Sequence, residues 1–224
     1  MTTEYFPTTA YDELTPLIEA GDPQRHASRH IMDRYYEPLQ AYICGLPLRV
    51  LGEPDDLVRS FFASRLSRAD YLRNWSASGL PLRRFLMNGI SFHLRELLRE
   101  RVRRKTLPIV DESILVSKSL RADELFERAW ALSILSGVCT ASRDAMAADG
   151  RSNAWRIFDA HYLRGESFVA LALREGVSPQ RLAAEARFVI RRVERVLQSM
   201  LSDEGIPTTD LAAEVARIQG LLKS

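Results

Sequence analysis

Between Leu82 and Lys105 the apolar residues Leu82, Phe85, Leu86, Ile90, Leu94, Leu97, Leu98 and Val102 recur every three or four positions. That spacing sets them on one side of an α-helix. Along the other side run Arg84, Asn88, Ser91, Arg95 and Arg99, and Arg101, Arg103, Arg104 and Lys105 close the stretch. Pro81 stands at the first helical position, where its missing N–H is no loss, and Ser78-Gly79 before it reads as a loop. A helix apolar on one face and basic on the other either docks on a partner or lies along a polyanion.

The same period marks the neighbouring elements. A short amphipathic piece with Leu14, Leu17 and Ile18 stops at Gly21-Asp22-Pro23. From Gln24 to about Cys44, Ile31, Met32, Tyr35, Tyr36, Leu39, Tyr42 and Ile43 form a helical stripe, ended by Gly45 and Pro47. Gly52-Glu53-Pro54-Asp55-Asp56 then opens a helix whose first-turn carboxylates suit the helix dipole. It runs to about Ser67 and carries Leu57, Phe61, Phe62 and Leu66. Adjacent phenylalanines point about 100° apart, so one can face the core while its neighbour faces out; the other reading is an ordinary capped helix whose phenylalanines enter the core.

Thr106 to Asp123 holds Pro108, Asp111-Glu112 and Ile114-Leu115-Val116 without a sustained period, which reads as a linker. A long helix follows from near Glu124 with Phe126, Ala129, Trp130, Leu132, Leu135 and Val138. It breaks at Asp149-Gly150-Arg151-Ser152, and a shorter helix carries Trp155, Ile157, Phe158 and Tyr162. In FVALALREGVSPQRLAAEARFVIRRVERVLQSML, Ala172, Gly176 and Leu182 fall where a helix-turn-helix needs a small residue, a turn glycine and an apolar residue facing back. Ser178 caps the second helix and Pro179 takes its first turn. Along it Leu182, Ala186, Val189 and Val193 face inward, while Gln180, Ala184, Arg187, Arg191 and Arg195 face the other way. After Gly205-Ile206-Pro207 a short helix carries Leu211, Val215, Ile218 and Leu222. The expected fold is all-α: two small helical domains on a flexible linker. Its parts are an N-terminal extension (1–23), a first domain (24–105), the linker (106–123), a second domain (124–201) and a tail (202–224).

Composition adds limits. The 224 residues are 46% hydrophobic and 27% charged, as expected of a globular chain, and the net charge of +2 is too small for a polycation. A nucleic-acid site must therefore come from local clustering, which the basic helix supplies. The two cysteines, Cys44 and Cys139, are far apart, which points to a reduced, cytoplasmic protein with buried thiols. No run approaches the roughly 18 apolar residues of a membrane span, and MTTEYFPTTAYDE lacks a leader pattern. His26 and His30 lie one turn apart but have no evident third ligand, so no metal or cofactor is expected. No phosphate loop, nucleophile elbow or H-E-x-x-H is present, and no enzymatic activity is expected.

In their order these parts resemble the extracytoplasmic-function (ECF) type of bacterial RNA polymerase sigma factor, which keeps only the domains sigma-2 and sigma-4. Gly52-Glu53-Pro54-Asp55-Asp56-Leu57-Val58-Arg59-Ser60-Phe61-Phe62 is similar to the family's D-A-E-D-L-x-Q-E-x-F helix. Arg83 to Glu96 is similar to its promoter-melting helix, and FERAWALSIL at Phe126 to Leu135 to a sigma-4 start reading F-x-R-x-W-A-L. The resemblance spans roughly Leu14 to Leu201 and lies in the order of features. Arg59-Ser60 replaces the usual Gln-Glu pair, Ser91-Phe92 the usual basic-Asn pair, and Ala183 and Ala184 stand where many relatives carry larger polar residues.

The resemblance implies a dissociable subunit that directs core polymerase to promoters, with an anti-sigma or other inhibitory protein as a further partner. Asp55, Asp56, Leu57, Ser60, Phe61 and Phe62 would bind the β′ clamp helices. Asn74, Trp75 and Ser76, within an expected pocket loop Arg73 to Ser78, would capture a minus-10 base. Arg83, Arg84, Asn88, Ser91, Arg95 and Arg99 would line the strand's path. Ser178, Gln180, Arg181, Ala184, Arg187 and Arg191 would meet the minus-35 duplex, Gln180 suiting an adenine edge and the arginines guanine or phosphate; sigma-4 would also bind the β flap. The other readings of the same residues are Trp75 as a core aromatic, the arginines as a solvated face and the tail as either a lid on the second domain or a docking helix. At the level of function the alternatives are a helix-turn-helix regulator acting without polymerase and a protein-interaction module without promoter function.

Overall fold

The computed structural model describes residues 24–46, 51–66, 68–104 and 120–223. The expected N-terminal extension and the linker up to residue 119 lie outside these. Among the described residues there are nine α-helices and no strand, so the fold class is all-α. The helices are α1 (Gln24–Cys44), α2 (Pro54–Arg65), α3 (Ala69–Ser78), α4 (Leu82–Arg103), α5 (Leu120–Ala148), α6 (Ser152–Phe158), α7 (Phe168–Glu175), α8 (Pro179–Asp203) and α9 (Leu211–Lys223).

The chain divides into two compact units, one of Met1–Ser133 with Leu201–Ser224 and the other of Ile134–Met200. This differs from the boundaries read from the sequence in two ways. Phe126 to Ser133, read as the opening of the second domain, belongs to the first unit. The tail, read as a lid on the second domain or a docking helix, also belongs to the first unit. Burial explains both. Phe126 and Trp130 are fully buried, and the Phe126 ring stacks on Tyr35 at 6.5 Å and meets the edge of Tyr42 at 6.3 Å. In the tail, Glu204, Ile206 and Ile218 are buried, as is Leu201 just before it.

In the first unit the apolar stripes read from the sequence meet in one core. Ile31, Tyr35 and Leu39 of α1, Val58 and Phe61 of α2, Leu72 of α3, and Leu86, Ile90 and Leu94 of α4 are almost fully buried. Each large apolar side chain taken from water contributes about 1.5–3 kcal/mol, so this shared core is the main force that holds the four helices together. Met32, predicted within the stripe of α1, is 40% exposed.

In the second unit Ile157, Ala160, Leu171, Ala172, Leu182 and Ala186 form one cluster, and Met146, Ala154, Phe158 and Val189 another. A π-helical turn, Asp159–Leu163, extends α6. The helix-turn-helix is formed by α7 and α8. Ser167 caps α7 by accepting the Ala170 N–H at 3.1 Å, and Gly176 ends it in the left-handed region, φ 66°. A side chain at Gly176 would be strained by about 1 kcal/mol or more.

The expectation of buried thiols is corrected for one cysteine. Cys44, at the end of α1, is exposed, and Cys139 is half-buried. Burial raises the Cys139 thiol above its ordinary range.

Candidate nucleic-acid interface

In the first unit the candidate surface begins at α2. Asp55 accepts hydrogen bonds from the Tyr36 hydroxyl, from Gln40 Nε2 at 3.0 Å and from Arg59 Nε at 2.7 Å. The Tyr36 hydroxyl, with Arg59, holds this carboxyl below the usual carboxylate range. Asp56 is exposed. Of the two readings of the phenylalanines, the outward-facing one is overturned: Phe61 and Phe62 are both buried, as is Leu57, as an ordinary capped helix would place them. The reason is that α2 is covered on two sides. Phe62 stacks on Tyr36 of α1 at 6.3 Å, whereas Phe61 meets Tyr71 of α3 at 6.2 Å and His93 of α4 at 5.9 Å. Ser60 is half-buried, its hydroxyl 3.1 Å from His93 Nε2. The outward face of α2 thus consists of Asp56, Arg59 and Ala63.

The stretch expected as a pocket loop is helical. Arg73 to Ser78 lies within α3, with Leu72 and Trp75 both buried one turn apart. The Trp75 indole N–H donates to the Leu80 carbonyl at 2.9 Å, so this ring is a core aromatic. Asn74 is exposed and Ser76 half-buried. Trp75 and Ser76 nevertheless line a half-open cavity of about 260 Å³, together with Leu80, Ser202, Ile206 and Pro207.

On α4, Arg84, Asn88 and Arg99 are exposed and Arg95 is half-buried. Ser91 leaves this stripe: it is half-buried and 2.9 Å from the Tyr42 hydroxyl. Its place is taken by Phe92, 59% exposed, with the Arg95 guanidinium 5.5 Å from its ring. The exposed positions of α4 therefore run Arg84, Asn88, Phe92, Glu96 and Arg99, with Arg95 at their edge: an aromatic among arginines and one carboxylate, which is paired with Arg65. A face of this kind tracks a nucleic-acid backbone and stacks a base, the stacking being worth roughly 1–3 kcal/mol.

Arg83 is placed differently from expectation. It is 8% exposed and held bidentately by Glu214, Nη1 to Oε1 at 2.8 Å and Nη2 to Oε2 at 3.3 Å. Its Nε lies 3.7 Å from Glu127, and its guanidinium sits 4.4 Å over the Trp130 ring. Arg217 closes the cluster, 2.6 Å from Glu214 and 2.9 Å from Glu127, and Arg84 reaches Glu127 at 3.3 Å. Burial alone would raise the Glu214 carboxyl, but Arg217 and Arg83 hold it below the usual range. A second buried carboxylate, Glu204, pairs with Arg34 at 2.9 Å and takes the Tyr35 hydroxyl. None of these partners was foreseen. One signal was available: Arg83 falls in helical register with Met87, Ile90 and Leu94, and Glu214 with Leu211 and Ile218, so each charge occupies an apolar position.

In the second unit the placement follows the sequence pattern. Gln180, Arg181, Ala184, Arg187 and Arg191 are all exposed along α8. Ser178 is exposed at its start and accepts the Arg181 N–H at 3.3 Å. Among the described residues Arg181, Arg187 and Arg191 form no ion pair, which leaves three guanidinium groups for phosphate or base edges. Phe188, on the same helix, packs inward, half-buried, with the Arg151 guanidinium 4.1 Å from its ring.

Comparisons with protein-family models, with curated proteins and with solved structures gave no match. Among the described residues no group of three or more His, Cys, Asp and Glu side chains is placed to hold a metal ion. No helix among them is long and apolar enough to cross a membrane.

Proposed function

We propose that this protein is an ECF-type sigma factor, a cytoplasmic, dissociable subunit that directs bacterial core RNA polymerase to specific promoters and is controlled by an inhibitory partner. The observation that carries this reading is the pairing of two separate basic helix faces. One, on α4, mixes arginines with an exposed aromatic as suits an unpaired strand. The other, on α8, is presented by a helix-turn-helix as suits duplex DNA. A regulator that reads duplex alone has no use for the first face, and this favours the sigma reading over its alternatives.

In this reading α8 docks Gln180, Arg187 and Arg191 in the minus-35 major groove, and α4 lays Arg84, Asn88, Phe92, Arg95 and Arg99 along the minus-10 strand. The clamp helices of β′ meet the outward face of α2, Asp56 with Arg59, rather than its buried phenylalanines, and the second unit meets the β flap. No bond is made or broken by the chain itself. It lowers the cost of promoter opening by binding the open strand more tightly than the duplex. Purified chain should co-elute with bacterial core polymerase in gel filtration. Elution apart from core, together with salt-sensitive binding of duplex DNA by the chain alone, would favour the regulator instead.

A further inference from the structure

We infer that the C-terminal segment, Leu201 to Lys223, is a built-in competitor for the promoter strand, an autoinhibitory contact that must leave the leading end of α4 before a strand is captured there. The inference rests on the proposed sigma function. Its basis is that one segment meets three features of the first unit that suit an anionic strand, two of them with oxygen atoms.

The first feature is the N-terminus of α4, whose dipole attracts negative charge. The Leu82 N–H donates to the Glu204 carbonyl at 3.2 Å. The second is Arg83 in the first turn, the type of side chain that grips a phosphate with two parallel hydrogen bonds. Glu214 makes that bidentate grip instead. The third is the cavity beside Trp75, whose far wall is Ser202, Gly205, Ile206 and Pro207. A carbonyl and a carboxylate thus take the positions of two phosphate oxygens, and the turn walls off the cavity beside Trp75.

The segment is also anchored as a latch would be. Glu204 is held by Arg34 and Tyr35 of α1, and Ile206 and Ile218 are buried. With the segment gone, Arg83 would lose its bidentate partner and keep Glu127, at the longer distance of 3.7 Å, and the Trp130 ring.

The test compares three proteins in run-off transcription with purified core polymerase on one template: the full chain, a chain ending at Leu201, and Glu214→Gln in the full chain. Core binding and circular dichroism are measured for each. The Gln variant keeps the shape of the helix, and so serves if the shortened chain fails to fold. The expected result is equal core binding, with initiation raised about tenfold by truncation and several-fold by the Gln variant. A synthetic peptide of residues 202–224 added to the shortened chain should restore inhibition. Equal initiation by the full chain and the Gln variant, both folded and core-bound, would overturn the inference while leaving the sigma reading intact. Failure of every folded version to bind core would overturn that reading and the inference with it.

Discussion

At the scale of single residues, Arg83 decides most. Its guanidinium lies between Glu214, Glu127 and the Trp130 ring, almost out of water. Removing one partner of a buried ionic cluster leaves the others uncompensated, at a cost of about 3–5 kcal/mol. Arg83→Ala should therefore lower the unfolding free energy by that amount, seen as a lower urea midpoint with little change in slope, whereas a solvated Arg83 would predict a loss under about 0.5 kcal/mol. Glu204 makes a second prediction. Burial raises its carboxyl from 4.5 to about 6, against the pull of Arg34 and with a small push from Glu214. The folded chain thus binds this proton more tightly than the unfolded chain does. The resulting stabilisation, about 2 kcal/mol, is complete below pH 4.5 and lost as pH rises through about 6. In Glu204→Gln the thermal midpoint should lose that fall across the same window; an unchanged pH profile would remove Glu204 as its source.

At the scale of elements, the long helices were legible because their apolar residues keep period for three turns or more. α1, α2, α4 and α8 begin and end within a few residues of expectation. α3 was not legible. Its ten residues turn only Tyr71, Leu72 and Trp75 inward, and the polar run Arg73-Asn74 and Ser76-Ala77-Ser78 has the composition of a loop. Phe61 and Phe62 misled for another reason: whether the second of two adjacent aromatics is covered depends on a helix from elsewhere in the chain, here α1 through Tyr36. Close packing between α2, α3 and α4 yields a further prediction. Gly89 of α4 faces the Tyr71 hydroxyl and the Phe61 ring, and a Cβ there would lie 3.2 Å from the ring. Alanine gains about 1 kcal/mol of helix propensity, but overpacking costs about 1–3 kcal/mol. Gly89→Ala should therefore lower the melting temperature; a rise would mean the two rings yield freely. On α8, Arg187→Ala and Arg191→Ala should each weaken DNA binding by the polymerase complex and reduce its salt slope by about one. Unchanged slopes would remove these side chains from the phosphate contacts.

At the scale of the whole molecule, a net charge of +2 conceals two concentrated basic faces, one in each compact unit. The second was fully legible, because residues three and four apart on one exposed helix need no knowledge of the rest of the fold. The first was legible only in part. Arg84, Asn88, Arg95 and Arg99 hold their predicted side, but Phe92 replaces Ser91 and Arg83 turns inward. Its partner Glu214 lies 131 positions away, and no local pattern announces an ion pair at that separation. The same holds for Glu204, 169 positions from Tyr35. Long-range burial of charge is what returns the tail to the first unit, and it is the part of the account that periodicity cannot supply. The central claim concerns transcription, and run-off synthesis by purified bacterial core polymerase tests it most directly. On templates with a randomised upstream region, adding the chain with its tail removed should yield discrete start sites absent with core alone. Start sites no more numerous or defined than those of core alone, from a folded chain, would contradict it.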